Sequence, residues 1–141
     1  MKRNIVAFSQ NQHGHWVAEL DCYHTLNDAV SPTAQAGNRT VNCLQCDALK
    51  FPEGLTAYKK TPTFREASIP KGLRQHHTTK LGTWGLIHVL DGTLTYIHEQ
   101  EDITPINIKA GETAAVPPCM PHHVHASGTV TFFVEFYKKI P

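Results

Sequence analysis

The second half of the chain is cut into short pieces. Apolar or alternating runs at residues 64–69, 73–78, 84–90, 93–98, 103–108, 113–116, 122–126 and 129–137 are separated by Pro70-Lys71-Gly72, Asp91-Gly92, Gly111, Pro117-Pro118 and Gly128. Helical periodicity is weak throughout, and runs this short read as strands. About eight strands in roughly 90 residues describe a small sandwich or jelly roll. Asp91-Gly92 reads as a two-residue hairpin turn between residues 84–90 and 93–98, because Gly tolerates positive φ. The run 130–136 is apolar at almost every position, as in a strand covered on both faces.

The first half is organised differently. Residues 4–9 and 15–20 read as two strands joined by a turn over 11–14, and residues 27–40 as a polar loop holding Pro32 and Gly37. Pro52-Glu53-Gly54 is a natural seam, which predicts a small domain over 1–50 and a β-barrel domain over 51–141. The fold class expected is mainly β: a jelly roll preceded by a small metal-knuckle domain with a β-hairpin.

Composition excludes several function classes. The chain has 141 residues, enough for one ordinary domain or two small ones, and 40% of them are hydrophobic, enough for a packed core. Thirteen Lys and Arg against twelve Asp and Glu give a net charge of +1, which argues against binding nucleic acid or an anionic membrane by bulk charge. No apolar run approaches the roughly 20 residues needed to span a bilayer. The N-terminus is basic and then briefly apolar, turning polar at Ser9, too soon for the ~7–15-residue core of a secretory signal. A soluble cytoplasmic protein is the expectation.

Ten histidines and four cysteines stand out, three of the cysteines lying between residues 22 and 46. Cys22-x-His24, eighteen intervening residues and Cys43-x-x-Cys46 have the spacing of a tetrahedral ion site. The Cys-x-x-Cys turn sets two thiolates on one knuckle, and the distant Cys-x-His supplies the other pair. Zinc suits these donors, and about 50 residues bury too little surface to fold without a staple. Other readings are a disulfide, which leaves one of three cysteines over, free buried thiols, and a redox Cys-x-x-Cys, for which the flanking sequence lacks a strand-then-helix context. With all four positions filled by protein, the zinc would be structural. The segments Ile5-Val6-Ala7-Phe8, Gly14-His15-Trp16-Val17-Ala18-Glu19-Leu20-Asp21-Cys22-Tyr23-His24, Asn38-Arg39 and Cys43-Leu44-Gln45-Cys46-Asp47 resemble a small bacterial domain of unknown function over roughly residues 3–47.

A second constellation lies in the barrel. Gly72-Leu73-Arg74-Gln75-His76-His77 precedes one strand. Gly111, a short strand and a Pro-rich turn lead to His122 at the start of another. Cupin barrels present ligands from two such motifs. Here His77 keeps the first histidine, Thr79 stands where the second would be, and Gly85 stands near the usual Glu. Strand alternation puts His122, Val124 and Ala126 on one face and turns His123 and His125 away. Glu135, among Phe132-Phe133-Val134 and Phe136-Tyr137, is costly to bury unless paired, so it is read as a third metal ligand, with a salt bridge to Arg74 or Lys80 or a plain outward-facing residue as the alternatives. Arg74 and Lys80 flank His77 and could hold an anion. His88 reads as a buried, hydrogen-bonded histidine, Trp84 as core or pocket wall, and Cys119 as a loop thiol near the barrel mouth.

Pro52-Glu53-Gly54-Leu55, Tyr58-Lys59-Lys60-Thr61-Pro62-Thr63-Phe64, Ile69-Pro70-Lys71-Gly72-Leu73, His77-Thr78-Thr79-Lys80, Gly82-Thr83-Trp84-Gly85, Val89-Leu90-Asp91-Gly92, Pro121-His122-His123 and Val134-Glu135-Phe136-Tyr137 resemble the small cupin family linked to tellurite resistance, the TehB-like family, over residues 52–137. The resemblance implies a compact double-stranded β-helix and a second divalent metal, zinc by preference, in the barrel. It matches His77 and His122 to the family's motif histidines. The methyltransferase chemistry linked to the family name belongs to a different fold. Two functions follow as expectations: a metal-binding cupin that handles a small anion or metabolite, or a non-enzymatic sensor or interaction module. Small cupins pair through exposed strands, which makes a homodimer the expected assembly.

Overall fold

The structure is a computed structural model that describes residues 1–27, 29, 39–75, 77–99 and 104–140. The loop read over 27–40 lies mostly outside the described residues, as do His76 and the first residue of the strand read over 103–108. The chain divides into two compact units, Met1–Pro52 and Glu53–Pro141.

The first unit is a four-stranded antiparallel sheet in the order β3-β2-β1-β4. Its strands are β1 (Lys2–Gln10), β2 (Trp16–Leu20), β3 (Thr25–Asn27) and β4 (Thr40–Asn42). β1 and β2 form the expected hairpin, turned by Asn11, whose side chain accepts the backbone N–H groups of His13 and His15. Tyr23, at φ 72°, turns the chain between Cys22 and His24. One helical turn, α1 (Leu44–Asp47), follows β4, and the Cys43 sulfur caps it by accepting the Cys46 N–H. Among the described residues of this unit, the buried aliphatic side chains are Ile5, Ala18 and Leu20, and beside Pro52 the other buried residues are Arg3, Cys22, His24, Cys43 and Cys46.

The second unit is mainly β, as expected. Its strands are β5 (Thr56–Lys60), β6 (Phe64–Arg65), β7 (Trp84–His98), β8 (Ile106–Lys109), β9 (Thr113–Val116), β10 (His122–His125) and β11 (Val130–Lys138). β7 organises the unit. Its first half pairs with β9 and β11, and its second half with β8 and β10, so one strand serves two sheets. The core between them holds Trp84, Ile87, Leu94, Tyr96, Ile108 and Phe132, each at most 2% exposed.

Three expectations about this unit are corrected. Asp91-Gly92 does not turn a hairpin, because β7 runs straight through it. Gly92 sits at φ 73°, opposite Val130, next to a register shift in the β7–β11 ladder. Its backbone freedom lets the strand pass from one sheet to the other, and a Cβ there would fall onto the Thr129 carbonyl oxygen. Nor do the described residues of 73–78 form a strand. Pro70 starts a 3-10 turn over Lys71–Arg74, and only His77 makes a ladder contact. β11 is not covered equally on both faces either. Val130, Phe132 and Val134 are buried, and the alternate residues Thr131, Phe133 and Glu135 are half-buried.

Gly92→Ala combines a left-handed backbone with a carbonyl clash, so it is expected to lower the stability of this unit by at least about 2 kcal/mol. Urea unfolding followed by Trp84 fluorescence in a Trp16→Phe background measures this.

Candidate metal centre and barrel site

The chain brings Cys22, His24, Cys43 and Cys46 together, all four buried, with their donor atoms within 4.8 Å of one another. A tetrahedral ion with bonds of about 2.3 Å to sulfur and about 2.05 Å to nitrogen sets S···S edges of about 3.8 Å and S···N edges of about 3.5 Å. Cys22 Sγ and Cys43 Sγ are 3.8 Å apart, too far for a disulfide. His24 Nδ1 lies 3.4, 3.3 and 3.5 Å from the Cys22, Cys43 and Cys46 sulfurs. The donors thus already stand at the corners of a metal-sized tetrahedron.

The surroundings reinforce that geometry. His24 Nε2 lies 2.7 Å from the Lys50 carbonyl oxygen, which receives its N–H and leaves the Nδ1 lone pair facing the sulfurs. The Arg3 Nε–H points at Cys46 Sγ over 3.4 Å, placing a cation beside a would-be thiolate. Hydrogen bonds from the Cys22 and Cys46 thiols hold the Cys43 sulfur far below the ordinary thiol range. Arg3→Met is expected to weaken metal binding here roughly tenfold, the scale usual for partners of metal ligands. Competition with a chromophoric chelator measures that loss.

The barrel site is a pair. His77 and His122 lie opposite each other and exchange two backbone hydrogen bonds, of 2.7 and 2.8 Å. That ladder contact sets the rings side by side, with His77 Nδ1 3.3 Å from His122 Nε2. His122 Nδ1–H donates to the Met120 carbonyl over 2.9 Å, so its Nε2 is the free lone pair. Two nitrogens on a tetrahedral ion are about 3.3 Å apart by the same bond length. Burial lowers the pKa of both rings, His122 to about 4, so both are neutral near pH 7. Behind them, Tyr96 Oη and His98 Nε2 are buried without a hydrogen-bond partner among the described residues.

His77 and His122 line a cavity of about 390 Å³ whose walls include Leu73, Ile87, Val116, Val124, Phe132, Val134 and Phe136. Gly85 also lines it, packed 3.2 Å (as a notional Cβ) from Val116. Lys59, His77, Thr79 and Phe136 are shared with an adjoining surface groove of about 250 Å³, which marks the mouth. Lys80 lines that groove. The lysines of β5 both border the cavity, which sequence reasoning missed; Lys59 also lines the mouth and is the functional candidate, whereas the Lys60 ammonium lies over the Phe133 ring, 5.8 Å from its centre. Their signal was the Lys-Lys pair just before Thr61-Pro62, which reads as an ordinary surface strand end.

Two site residues fall elsewhere. Glu135 is not gathered with the histidine pair. Strand alternation sends Phe132, Val134 and Phe136 to the cavity and Glu135 to the opposite face. There it lies 2.7 Å from His88 Nε2, with each side chain 25% exposed, and His88 stacks on Phe133 at 4.6 Å. The alternative reading of Glu135, as partner of a cation, is the one the geometry fits, with histidine in place of Arg74 or Lys80. Arg74 donates twice to the Ile69 carbonyl, at 3.1 and 2.7 Å, and lines a separate depression with Glu66 and His123. Trp84 is core, and Cys119 is an exposed loop residue at φ 59° whose N–H donates to the Thr79 carbonyl. Glu135→Gln is therefore expected to leave metal content unchanged and to shift stability by under about 1 kcal/mol. Elemental analysis and thermal melting check both halves.

The comparisons with known proteins concern the barrel unit. The chain is 33% identical over 90 residues to the "Probable S-adenosyl-L-methionine-dependent methyltransferase TehB" of Haemophilus influenzae strain KW20 Rd, covering 60% of this chain and 32% of that protein. The homologue from strain 10810 is 31% identical over 90 residues. The chain thus spans about a third of the length of the curated relatives it matches. The crystal structure of TehB from Haemophilus influenzae superposes with a TM-score of 0.57 at 28% identity, over 62% of this chain and 32% of that one. A crystal structure from E. coli strain K12 gives 0.60 at 24% identity, over 66% of this chain and 99% of that one, a likeness of fold. Residues 59–134 match the TehB-like domain, and the chain belongs to that family.

Proposed function

We propose that the barrel binds a divalent metal ion through His77 and His122 and presents its open positions to a small anion or metabolite, while Cys22, His24, Cys43 and Cys46 hold a structural zinc. The observation that carries this reading is the His77 Nδ1–His122 Nε2 separation of 3.3 Å at the wall of an apolar cavity. Two neutral imidazoles supply the first ligands. No carboxylate side chain lines the cavity or its mouth among the described residues, so the remaining coordination falls to the bound molecule. Lys59 and Lys80 at the mouth favour an anion. A structural zinc suits the first unit, because the buried Ile5 and Leu20 side chains at about 1.5–3 kcal/mol each compare with about 10–16 kcal/mol for such an ion.

A second reading rests on the closed knuckle. With four protein donors and no open position, that ion would serve architecture alone, and the protein would be a sensor or interaction module. β5 pairs only with β11 among the described residues and is exposed at every position, which supports pairing of two copies along that edge.

Elemental analysis of wild type, Cys43→Ser and His77→Ala, purified without chelator, separates the readings. The expected result is two equivalents in wild type, with each variant losing a different one. A single equivalent, lost only in Cys43→Ser, favours the module reading.

A further inference from the structure

The walls of the barrel cavity say what its ligand is made of. Behind the histidine pair the lining is hydrocarbon: Ile87, Val116, Val124, Phe132 and Val134. A hydrated inorganic oxyanion placed there would lose water contacts on most sides and gain none from these walls. The volume, about 390 Å³, is room for about a dozen waters at ~30 Å³ each, and falls at the small end of ordinary ligand pockets.

The mouth has the opposite character. Lys59 and Lys80 line the outer groove, Lys59 borders the cavity as well, and no Asp or Glu lines either among the described residues. A divalent ion held by two neutral imidazoles beside these ammonium groups has no negative charge to balance it. The bound molecule must bring that charge, and must bring it at the end nearest His77 and Lys59.

We infer that the ligand is a small monocarboxylate with a hydrocarbon or aryl body. The body fills the apolar cavity, and the carboxylate meets the His77–His122 site and the Lys59 ammonium. This inference rests on the barrel reading above and narrows its substrate class. It excludes a bare oxyanion as the principal ligand.

Calorimetric titration of the whole metal-loaded chain with acetate, hexanoate, phenylacetate, inorganic phosphate and selenite tests it. Hexanoate and phenylacetate are expected to bind at least tenfold more tightly than acetate, phosphate or selenite. Leu73→Glu at the cavity edge and Val134→Phe within it are each expected to weaken phenylacetate binding tenfold or more, with the knuckle metal content and melting temperature as checks on folding. The comparison of hexanoate with acetate needs no variant. Phosphate or selenite binding as tightly as hexanoate overturns the inference, and so does the absence of hexanoate binding at millimolar concentration in protein that carries its barrel metal. If the barrel takes no metal and hexanoate still outbinds acetate tenfold, the metal reading fails and the ligand class stands.

Discussion

β7 belongs to both sheets of the second unit, and everything at the barrel site hangs on that sharing. Its first half carries Gly85 and Ile87 to the cavity wall, and its second half pairs with β10, which begins at His122. A strand that stopped at Asp91-Gly92 would leave the two sheets joined only through loops. Because Gly92 accepts a positive φ against the Thr129 carbonyl, the backbone ladder continues and the two sheets are fixed in register. The position of His122 follows from that register, and the position of His77 follows from His122 through their two reciprocal backbone bonds.

The first unit solves a different problem. Its sheet buries few aliphatic side chains, and much of its interior is sulfur, imidazole and one guanidinium group. Such an interior is unfavourable by itself, since polar atoms out of water need partners. Here each finds one. The Cys43 sulfur caps α1, the Lys50 carbonyl takes the outer nitrogen of His24, and Arg3 faces Cys46. The polar atoms that would cost stability in an apolar core become donors with fixed directions.

Much of this was legible in the residues. The Cys-x-His and Cys-x-x-Cys spacing named all four knuckle donors, because a tetrahedral site made of two tight turns leaves few other spacings. Turn residues marked most strand ends, and the two motif histidines were identified 45 residues apart. The failures share a physical cause. Asp91-Gly92 has the composition of a hairpin, and only the partner strands reveal that the chain stays extended there. Glu135 was legible as a carboxylate needing a partner. Which face it occupies depends on the register of β11, and register is set by pairing, which no local window records. Lys59 is solvent-exposed, and the cavity it borders is assembled from strands distant in sequence, so no local pattern marks it.

The hydrogen bond from His24 to the Lys50 carbonyl reaches beyond ligand orientation. Lys50 stands two residues before the end of the first unit, so the same imidazole that would grip an ion also tethers the departing backbone. One ring thereby joins the cluster of donors to the backbone at Lys50. A chain stripped of its ion would loosen at its exit as well as at its centre.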